Sequence, residues 1–153
     1  MHMRKVADEA EKREYWHLLL DADPSRQMVE RYLRQGEMYV MEAEGRVVAE
    51  AVVLPLNNDV CELKNLAVLP SFQGRGLGRQ MVHRLCDCYE RRFSQMLVGT
   101  SRKGQAFYEA CGFTFFQVKK GFFLQYPEPV VEDGVLCEDM YLLKRNLKKG
   151  DQI

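Results

Sequence analysis

The stretch that decides the fold reads LAVLPSFQGRGLGRQM and occupies residues 66–81. It begins with an apolar run typical of a strand and ends in the first turns of an amphipathic helix. Between them stand Gly74, Gly76 and Gly78, which let the backbone turn tightly and leave consecutive N–H groups unpaired. Because unpaired N–H groups at a helix N-terminus carry partial positive charge, this turn is predicted to bind an anion.

The glycine spacing does not match the common nucleotide-binding motifs. A dinucleotide fingerprint requires Gly-x-Gly-x-x-Gly, whereas Gly74, Gly76 and Gly78 alternate with single residues. A Walker loop requires Gly-Lys followed by Ser or Thr, whereas Gly78 is followed by Arg79. Two alternatives remain: a purely structural turn, or a site for another phosphorylated ligand to which Arg75 and Arg79 add charge-assisted hydrogen bonds.

Apolar periodicity predicts the elements around this stretch. Before it come a strand, two helices, a hairpin that turns at Glu44-Gly45, and a further strand; Asp23 is predicted to cap the second helix, with Pro24 in its first turn. After it the chain alternates helices and strands, apart from an irregular segment rich in proline. The predicted ranges are strand 3–6, helices 8–20 and 23–36, strands 38–41, 47–54 and 60–69, helix 78–93, strand 96–99, helix 103–111, strand 113–118, irregular segment 121–134 and strand 140–147.

Length and composition place the chain among globular proteins. The 153 residues fit one domain, predicted at 1–147, followed by a flexible polar tail at 148–153. The 22 basic and 22 acidic residues cancel, so no overall field attracts nucleic acid or an anionic membrane. No apolar run approaches membrane-spanning length, and the N-terminus lacks the apolar core of a signal peptide. We therefore expect a cytoplasmic protein with no nucleic-acid or membrane partner.

The cysteines and histidines show no spacing typical of a metal site. The five cysteines are an odd number, and free thiols in a reducing compartment are the simplest interpretation. His2, His17 and His83 lie far apart along the chain. We expect no bound metal.

Two motifs at the expected separation carry a resemblance to a known family. Residues 66–70, followed by 73–78, resemble the acetyl-CoA motif of the GNAT superfamily of N-acetyltransferases, usually written Gln/Arg-x-x-Gly-x-Gly/Ala. The sequence AFYEACGF at 106–113 resembles that superfamily's second motif, a helix that carries a tyrosine and ends in Gly-Phe. The order of elements matches over nearly the whole chain, and the segment 126–140 resembles a branch of uncharacterised bacterial members. One departure is Arg102, which stands where many members carry a cofactor-binding Asn.

The resemblance implies an α/β fold of the α+β type, with a mixed, mostly antiparallel sheet of about seven strands and about four flanking helices. The sheet is expected to splay apart beside the strand at 96–100, with the pantetheine arm of acetyl-CoA in the gap. Backbone groups of Leu66 and Val68 would pair with that arm, and an N–H near Val68 would stabilise the reaction's oxyanion. Ser101, Gln105 or Arg102 itself would replace the missing Asn. The residues expected to contact acetyl-CoA are Leu66, Ala67, Val68, Gln73, Gly74, Arg75, Gly76, Leu77, Gly78, Arg79 and Gln105.

The resemblance also implies catalytic roles for Tyr108 and a carboxylate. At the family's tyrosine position, Tyr108 would protonate or hydrogen-bond the departing CoA thiolate. Glu62 is the first choice as base, although at about 3.3 Å per residue it lies about 13 Å along the strand from Leu66, so a water or the substrate's position must bridge the gap. Strict alternation places Glu62, Lys64, Leu66 and Val68 on one face, whereas a bulge would reverse part of this. The alternative role for Glu62 is an ion pair with Lys64 at the strand edge.

The predicted reaction is direct transfer of acetyl to a primary amine of a small molecule or peptide within a ternary complex. Cys111 has no accompanying histidine motif, so it is not expected to carry the acyl group. The alternative is a non-catalytic CoA-binding module with the same fold, and a homodimer through the final strands is plausible by analogy with relatives. The acceptor pocket is expected between the N-terminal helices and the segments 55–59 and 121–139. Its candidate wall and charge residues are Phe122, Phe123, Tyr126, Glu50, Glu132, Asp133, Glu138 and Asp139.

Overall fold

The computed structural model describes residues 2–147, so the predicted flexible tail at 148–153 lies outside the described residues. Short 3-10 turns at Arg13–Tyr15, Pro70–Phe72, Arg102–Gly104 and Phe122–Gln125 join the longer elements. In chain order the strands and helices are β1 (His2–Lys5), α1 (Glu9–Lys12), α2 (Trp16–Ala22), α3 (Arg26–Leu33), β2 (Glu37–Ala43), β3 (Arg46–Pro55), β4 (Val60–Val68), α4 (Leu77–Tyr89), β5 (Gln95–Thr100), α5 (Gln105–Ala110), β6 (Thr114–Lys119), β7 (Val131–Glu132), β8 (Val135–Leu136) and β9 (Met140–Asn146).

Seven strands form one sheet in the order β1-β2-β3-β4-β5-β9-β6. All neighbours in it are antiparallel except β4 and β5, which are parallel. The predicted mixed, mostly antiparallel sheet is therefore confirmed. Strand β6 lies at the sheet edge, where Phe115 and Phe116 are each 38% exposed. The homodimer expected through the final strands stays a prediction.

The first helix prediction is confirmed in outline, because α1, a 3-10 turn and α2 form one interrupted helical stretch. The cap predicted for the second helix is wrong. Ser25 caps α3 by accepting a hydrogen bond from the Met28 N–H at 3.2 Å, and Pro24 therefore lies outside the helix. The Asp23 carboxylate instead accepts hydrogen bonds from two tyrosines.

Two-residue turns close two of the hairpins in the fold. Between β2 and β3, Glu44 and Gly45 have φ of 54° and 77°, the left-handed geometry that tight hairpin turns require, so the predicted hairpin is confirmed. A second, small hairpin of β7 and β8 turns at Asp133 and Gly134. This hairpin lies in the segment predicted to be irregular, where the proline content concealed it.

Helices cover both faces of the sheet and create two core clusters. On one face, α4 buries Leu77, Met81 and Leu85 against the central strands. On the other face, α2 and α3 bury Leu19 and Leu33. Within residues 2–147 no helix has the length and apolar character needed to cross a membrane.

A β-bulge in β4 decides which side chains face each layer. Val52 of β3 pairs with Asn65 and Val53 pairs with Leu63, so Lys64 is the extra residue. Leu66 and Val68 pack on the α4 side, together with Leu63. Asn65 instead bonds to residues of α2 and α3. The prediction of strict alternation along β4 is therefore wrong, because the bulge moves the side chains that follow it to the opposite face of the sheet.

Strands β4 and β5 separate where the resemblance predicted a splayed sheet. Their pairing runs from Val60 and Gln95 to Leu63 and Val98. Beyond that point β4 stays paired with β3 as far as Val68. The backbone edge of the last residues of β4 is therefore open on the side of β5, which confirms the predicted splay.

Candidate functional site

A cavity of about 970 Å³ occupies the gap between the splayed strands. Residues 62–68 form one wall, and residues 98–101 form the other. The glycine turn and the first turn of α4 close one end. The opposite end is formed by the segment between α2 and α3 and by the aromatic segment after β6.

The glycine turn is shaped for close approach of a ligand. Gly74 and Gly76 have φ of 77° and 79°, and a Cβ added to either would meet nothing within 4 Å. Their freedom from side chains keeps the backbone N–H groups accessible at the start of the 13-residue helix α4. The Gln73 side chain donates a hydrogen bond to the Val68 carbonyl oxygen at 2.9 Å, which ties the turn to the end of β4.

Gly78 has a packing role instead. A Cβ at this position would come within 3.3 Å of the Phe107 ring, so any other residue would require that ring to shift away from the start of α4. This approach brings the tyrosine of α5 to the cavity. Val68 lies against the same spot, 3.8 Å from that Cβ position.

Two predicted cofactor contacts lie apart from the cavity wall. The Arg75 guanidinium donates to the Ser71 carbonyl oxygen at 3.2 Å and lies 4.8 Å from the centre of the Phe72 ring. The Gln105 amide donates to Glu109 at 3.4 Å. Their contacts with acetyl-CoA stay predictions. The predicted contacts that line the cavity are Leu66, Ala67, Val68, Gln73, Gly74, Gly76, Leu77, Gly78 and Arg79.

Among the three substitutes for the family Asn, Ser101 lines the cavity. Its hydroxyl is buried and donates to a Glu132 carboxylate oxygen at 3.2 Å. Arg102 is exposed. The geometry therefore favours Ser101 over Arg102 and Gln105.

Tyr108 lines the cavity from α5. Its ring packs edge-on against Phe107 and Phe113, with centroid separations of 4.9 and 5.8 Å. Burial raises the pKa of the Tyr108 phenol above its usual range. The hydroxyl therefore stays protonated at neutral pH, which is the state that donates a proton or a hydrogen bond.

Glu62 lines the cavity near the end at which β4 and β5 are still paired. Its side chain is 17% exposed and lies 3.4 Å from the Lys64 ammonium. The ion pair that the sequence left as an alternative is therefore present. Glu62 pairs across the sheet with Leu54, on the α2 and α3 side, so it faces away from Leu66.

A hydrogen-bond network that the sequence did not predict lines the other end of the cavity. Tyr126 and Tyr32 each donate to an Asp23 carboxylate oxygen at 3.0 Å. Asn65 donates to the Tyr32 hydroxyl oxygen at 3.0 Å and to the Leu19 carbonyl oxygen at 3.1 Å. Burial raises the pKa of Asp23, and the two phenol hydrogen bonds act in the opposite direction. A polar Asn65 inside an apolar strand was the one sequence signal that pointed to this network.

The predicted aromatic wall is present. Phe122, Phe123 and Tyr126 all line the cavity, and their ring centroids lie 5.2, 5.6 and 6.0 Å apart. Of the acids proposed to attract an amine, Glu132 lines the cavity. Asp133 instead pairs with Lys103, and Asp139 accepts the Gly121 N–H.

Glu50 does not have the role that the sequence suggested. It is 0% exposed, and neither carboxylate oxygen has a hydrogen-bond partner. Burial raises its pKa well above the usual range, which favours the neutral form of this carboxyl in the folded protein. A neutral acid without access to the cavity surface does not attract a cation.

Among the described residues, neither a cysteine thiol nor a metal centre belongs to the cavity. Cys111 is fully buried, and burial raises the pKa of its thiol. Among residues 2–147, no group of three or more His, Cys, Asp or Glu side chains is arranged to hold a metal ion.

Known proteins share both the sequence and the fold. Residues 34–115 match the acetyltransferase (GNAT) domain. The chain is 32% identical over 155 residues to the uncharacterized N-acetyltransferase YvbK of Bacillus subtilis (strain 168), over 96% of this chain and 100% of that protein.

Two similar crystal structures contain the cofactor or its product. A GNAT family acetyltransferase from Elizabethkingia anophelis with acetyl-CoA bound has a TM-score of 0.86 and 31% identity, over 95% of this chain and 98% of that one. A Bacillus subtilis acetyltransferase in complex with CoA has a TM-score of 0.83 and 30% identity, over 95% and 98%. With the domain match, the near full-length relative and the splayed cavity, the chain belongs to the GNAT family of N-acetyltransferases.

Proposed function

We propose that this protein transfers acetyl from acetyl-CoA to a primary amine of a small molecule or peptide, by direct attack within a ternary complex. The observation that carries the proposal is the single cavity between β4 and β5, which has a glycine turn at one end and a carboxylate network at the other. A neighbour that shares this fold was crystallised with acetyl-CoA.

The cofactor end fits the parts of acetyl-CoA. The open backbone edge of Leu66–Val68 is available to pair with the amide groups of a pantetheine arm, as a further strand would. The N–H groups of the glycine turn suit a pyrophosphate at the positive end of α4. Arg79 lines the cavity next to them and adds a positive charge.

The amine must lose a proton before it attacks. An alkyl amine with a reference pKa of about 10.4 is mostly protonated at neutral pH. We propose that Glu62 accepts this proton, directly or through a water, because it lines the cavity on the side that faces α2 and α3. A backbone N–H near Val68 then stabilises the negative charge that develops on the thioester oxygen.

The thiolate that leaves must gain a proton, and we assign its transfer to Tyr108. The phenol lines the cavity and is kept protonated by burial. Direct transfer is favoured over an acyl-cysteine intermediate because Cys111 is fully buried as a neutral thiol.

Release of CoA thiol from acetyl-CoA, measured across a panel of primary amines, tests this function. We expect release that depends on both the amine and the enzyme, with acetylated amine as the product. Tight binding of acetyl-CoA without turnover of any amine would instead support the non-catalytic CoA-binding module.

A further inference from the structure

Asn65 carries an unused hydrogen-bond acceptor at the cavity wall. It is 4% exposed and lines the cavity, and its Oδ1 has no hydrogen-bond partner. The amide orientation is determined by Leu19, because a carbonyl oxygen accepts only and must face the Nδ2 donor. The free atom is therefore the oxygen. This oxygen has less than 1 Å² of exposed surface, so Asn65 acts by orienting the Tyr32 hydroxyl and does not itself contact a ligand in the cavity.

Asp23 lies one hydrogen-bonded residue away from Asn65. The Tyr32 hydroxyl accepts from Asn65 and donates to Asp23, both at 3.0 Å. Because a phenol has one proton, the chain has a fixed direction and ends on the Asp23 carboxylate. Tyr126 donates to the other carboxylate oxygen at 3.0 Å. The Ser25 backbone N–H also hydrogen-bonds to this carboxylate. A carboxylate has about four acceptor positions, so Asp23 retains capacity for a further donor.

The side chains around Asp23 and Asn65 indicate the chemical character of the rest of the ligand. Phe122, Phe123 and Tyr126 form an aromatic wall in the same cavity. A ligand that fits has a donor-rich cationic end at Asp23 and an apolar body against the rings.

We propose that Asp23 binds the ammonium group of the acceptor, and that the acceptor is a primary amine on an apolar, aromatic body. The inference rests on the proposed function, since it locates the acceptor in that reaction. Tyr32 and Tyr126 are positioning residues that hold the Asp23 carboxylate. An N-terminal amine of a peptide and a free arylalkylamine share this chemistry.

Substitution at two neighbouring aspartates tests the role of Asp23. Asp21 lines the same cavity but is exposed, so Asp21→Asn makes the same charge change without touching the tyrosines. We expect Asp23→Asn to raise the KM for 2-phenylethylamine by about tenfold to a hundredfold, with acetyl-CoA affinity unchanged. Asp21→Asn should change that KM by less than about threefold. Equal effects of the two variants would overturn the proposal.

Binding to the CoA-loaded wild type tests the ligand class without a variant. We expect 2-phenylethylamine to bind at least about tenfold more tightly than 2-phenylethanol, which has the same body but no positive charge. Equal affinities, or no binding of the amine, would overturn the proposal. A short peptide that begins with Phe, compared with its N-acetylated form, separates the peptide source from the small-molecule source.

Two outcomes keep this inference separate from the proposed function. Selective amine binding with no CoA release from any amine supports the subsite and contradicts the enzyme. Should Asp23→Asn fail to fold, Tyr126→Phe decides: a KM rise of about threefold or more at unchanged kcat supports the proposal, and an unchanged KM overturns it.

Discussion

The two ends of the cavity are built by different means. The cofactor end is one continuous stretch of chain, residues 66–79, and it presents mainly backbone N–H and C=O groups. The acceptor end is assembled from Asp23, Tyr32, Asn65 and Tyr126, which are distant in sequence and present side chains. Backbone recognition tolerates changes of side chain but not of backbone geometry. Side-chain recognition is sensitive to single atoms, so substrate choice is expected to reside in the acceptor end.

The reacting centre between the two ends gives the largest expected effect. Tyr108→Phe removes only the hydroxyl, and we expect kcat to fall about 100-fold with acetyl-CoA affinity unchanged, because a positioned proton donor contributes about that much. Steady-state kinetics and calorimetric titration of acetyl-CoA check this. Tyr141→Phe is the matched control, since Tyr141 lies on β9 against Phe115. Full activity of the Tyr108 variant would remove its assigned role.

Substitution of Glu62 is expected to have the second-largest effect on kcat. Glu62→Gln should lower kcat by roughly tenfold to a hundredfold, because the proposed base is lost, and steady-state kinetics check this. Lys64→Met serves as the control, since it removes the other member of the ion pair. Equal losses in the two variants would show that the pair is structural and that another group accepts the proton.

Two glycines with nearly the same conformation allow the strain of a turn to be separated from its role in cofactor binding. Gly76 and Gly45 have φ of 79° and 77°, and a Cβ at either would meet nothing within 4 Å. Substitution by alanine should cost each about 1 kcal/mol of folding free energy, from left-handed strain alone. Gly76→Ala should in addition weaken acetyl-CoA binding about tenfold, because its Cβ enters the anion-binding turn. Unfolding midpoints and titrations of both variants check this, and equal cofactor affinities would contradict it.

The smallest expected effect is a change in stability at Glu50, which lines neither end of the cavity. Its folded-state pKa is raised by burial, so above the unfolded carboxyl pKa of about 4.3 the unfolded chain binds fewer protons than the folded one. Stability is therefore lost as pH rises through that value, until the folded group also ionises. Glu50→Gln removes this loss. The melting temperature of this variant minus that of the wild type should be a few degrees larger at pH 8 than at pH 4, since 1 kcal/mol of stability corresponds to about 2–4 °C.

The exposed Glu14 provides the control for that pH effect. Glu14→Gln makes the same chemical change at an exposed position, so it measures the effect of the substitution itself at both pH values. A pH-independent difference for Glu50→Gln would mean that the buried carboxyl is not held neutral.

The strand, glycine turn and helix at the proposed cofactor end were predictable from sequence because their information is local. A strand, a glycine turn and a helix follow one another, and the alternation of Gly74, Gly76 and Gly78 is visible without any tertiary contact. The mixed, mostly antiparallel sheet followed from the resemblance to a family. Arg75 marks the limit of prediction from the motif, because its packing on Phe72 depends on side-chain geometry that the motif does not specify.

The acceptor end was not predictable, and the bulge at Lys64 is the main reason. One extra residue in β4 turned Asn65 toward α2 and α3, against the period-2 pattern. Asp23 was assigned to a helix cap because Asp-Pro is typical of helix starts, whereas Ser25 performs that function. Its true partners, Tyr32 and Tyr126, are joined to it only by folding. Likewise, no local signal distinguishes the buried Glu50 from a surface glutamate.

One measurement tests the division of the cavity most directly: the acetyl-CoA dissociation constant and the acceptor KM, determined together for Gly76→Ala and Asp23→Asn. We predict that Gly76→Ala raises the first about tenfold and leaves the second nearly unchanged, and that Asp23→Asn does the reverse. Variants that each alter both constants alike, or an Asp23→Asn protein with normal acceptor KM, would contradict a cavity with separate cofactor and acceptor ends.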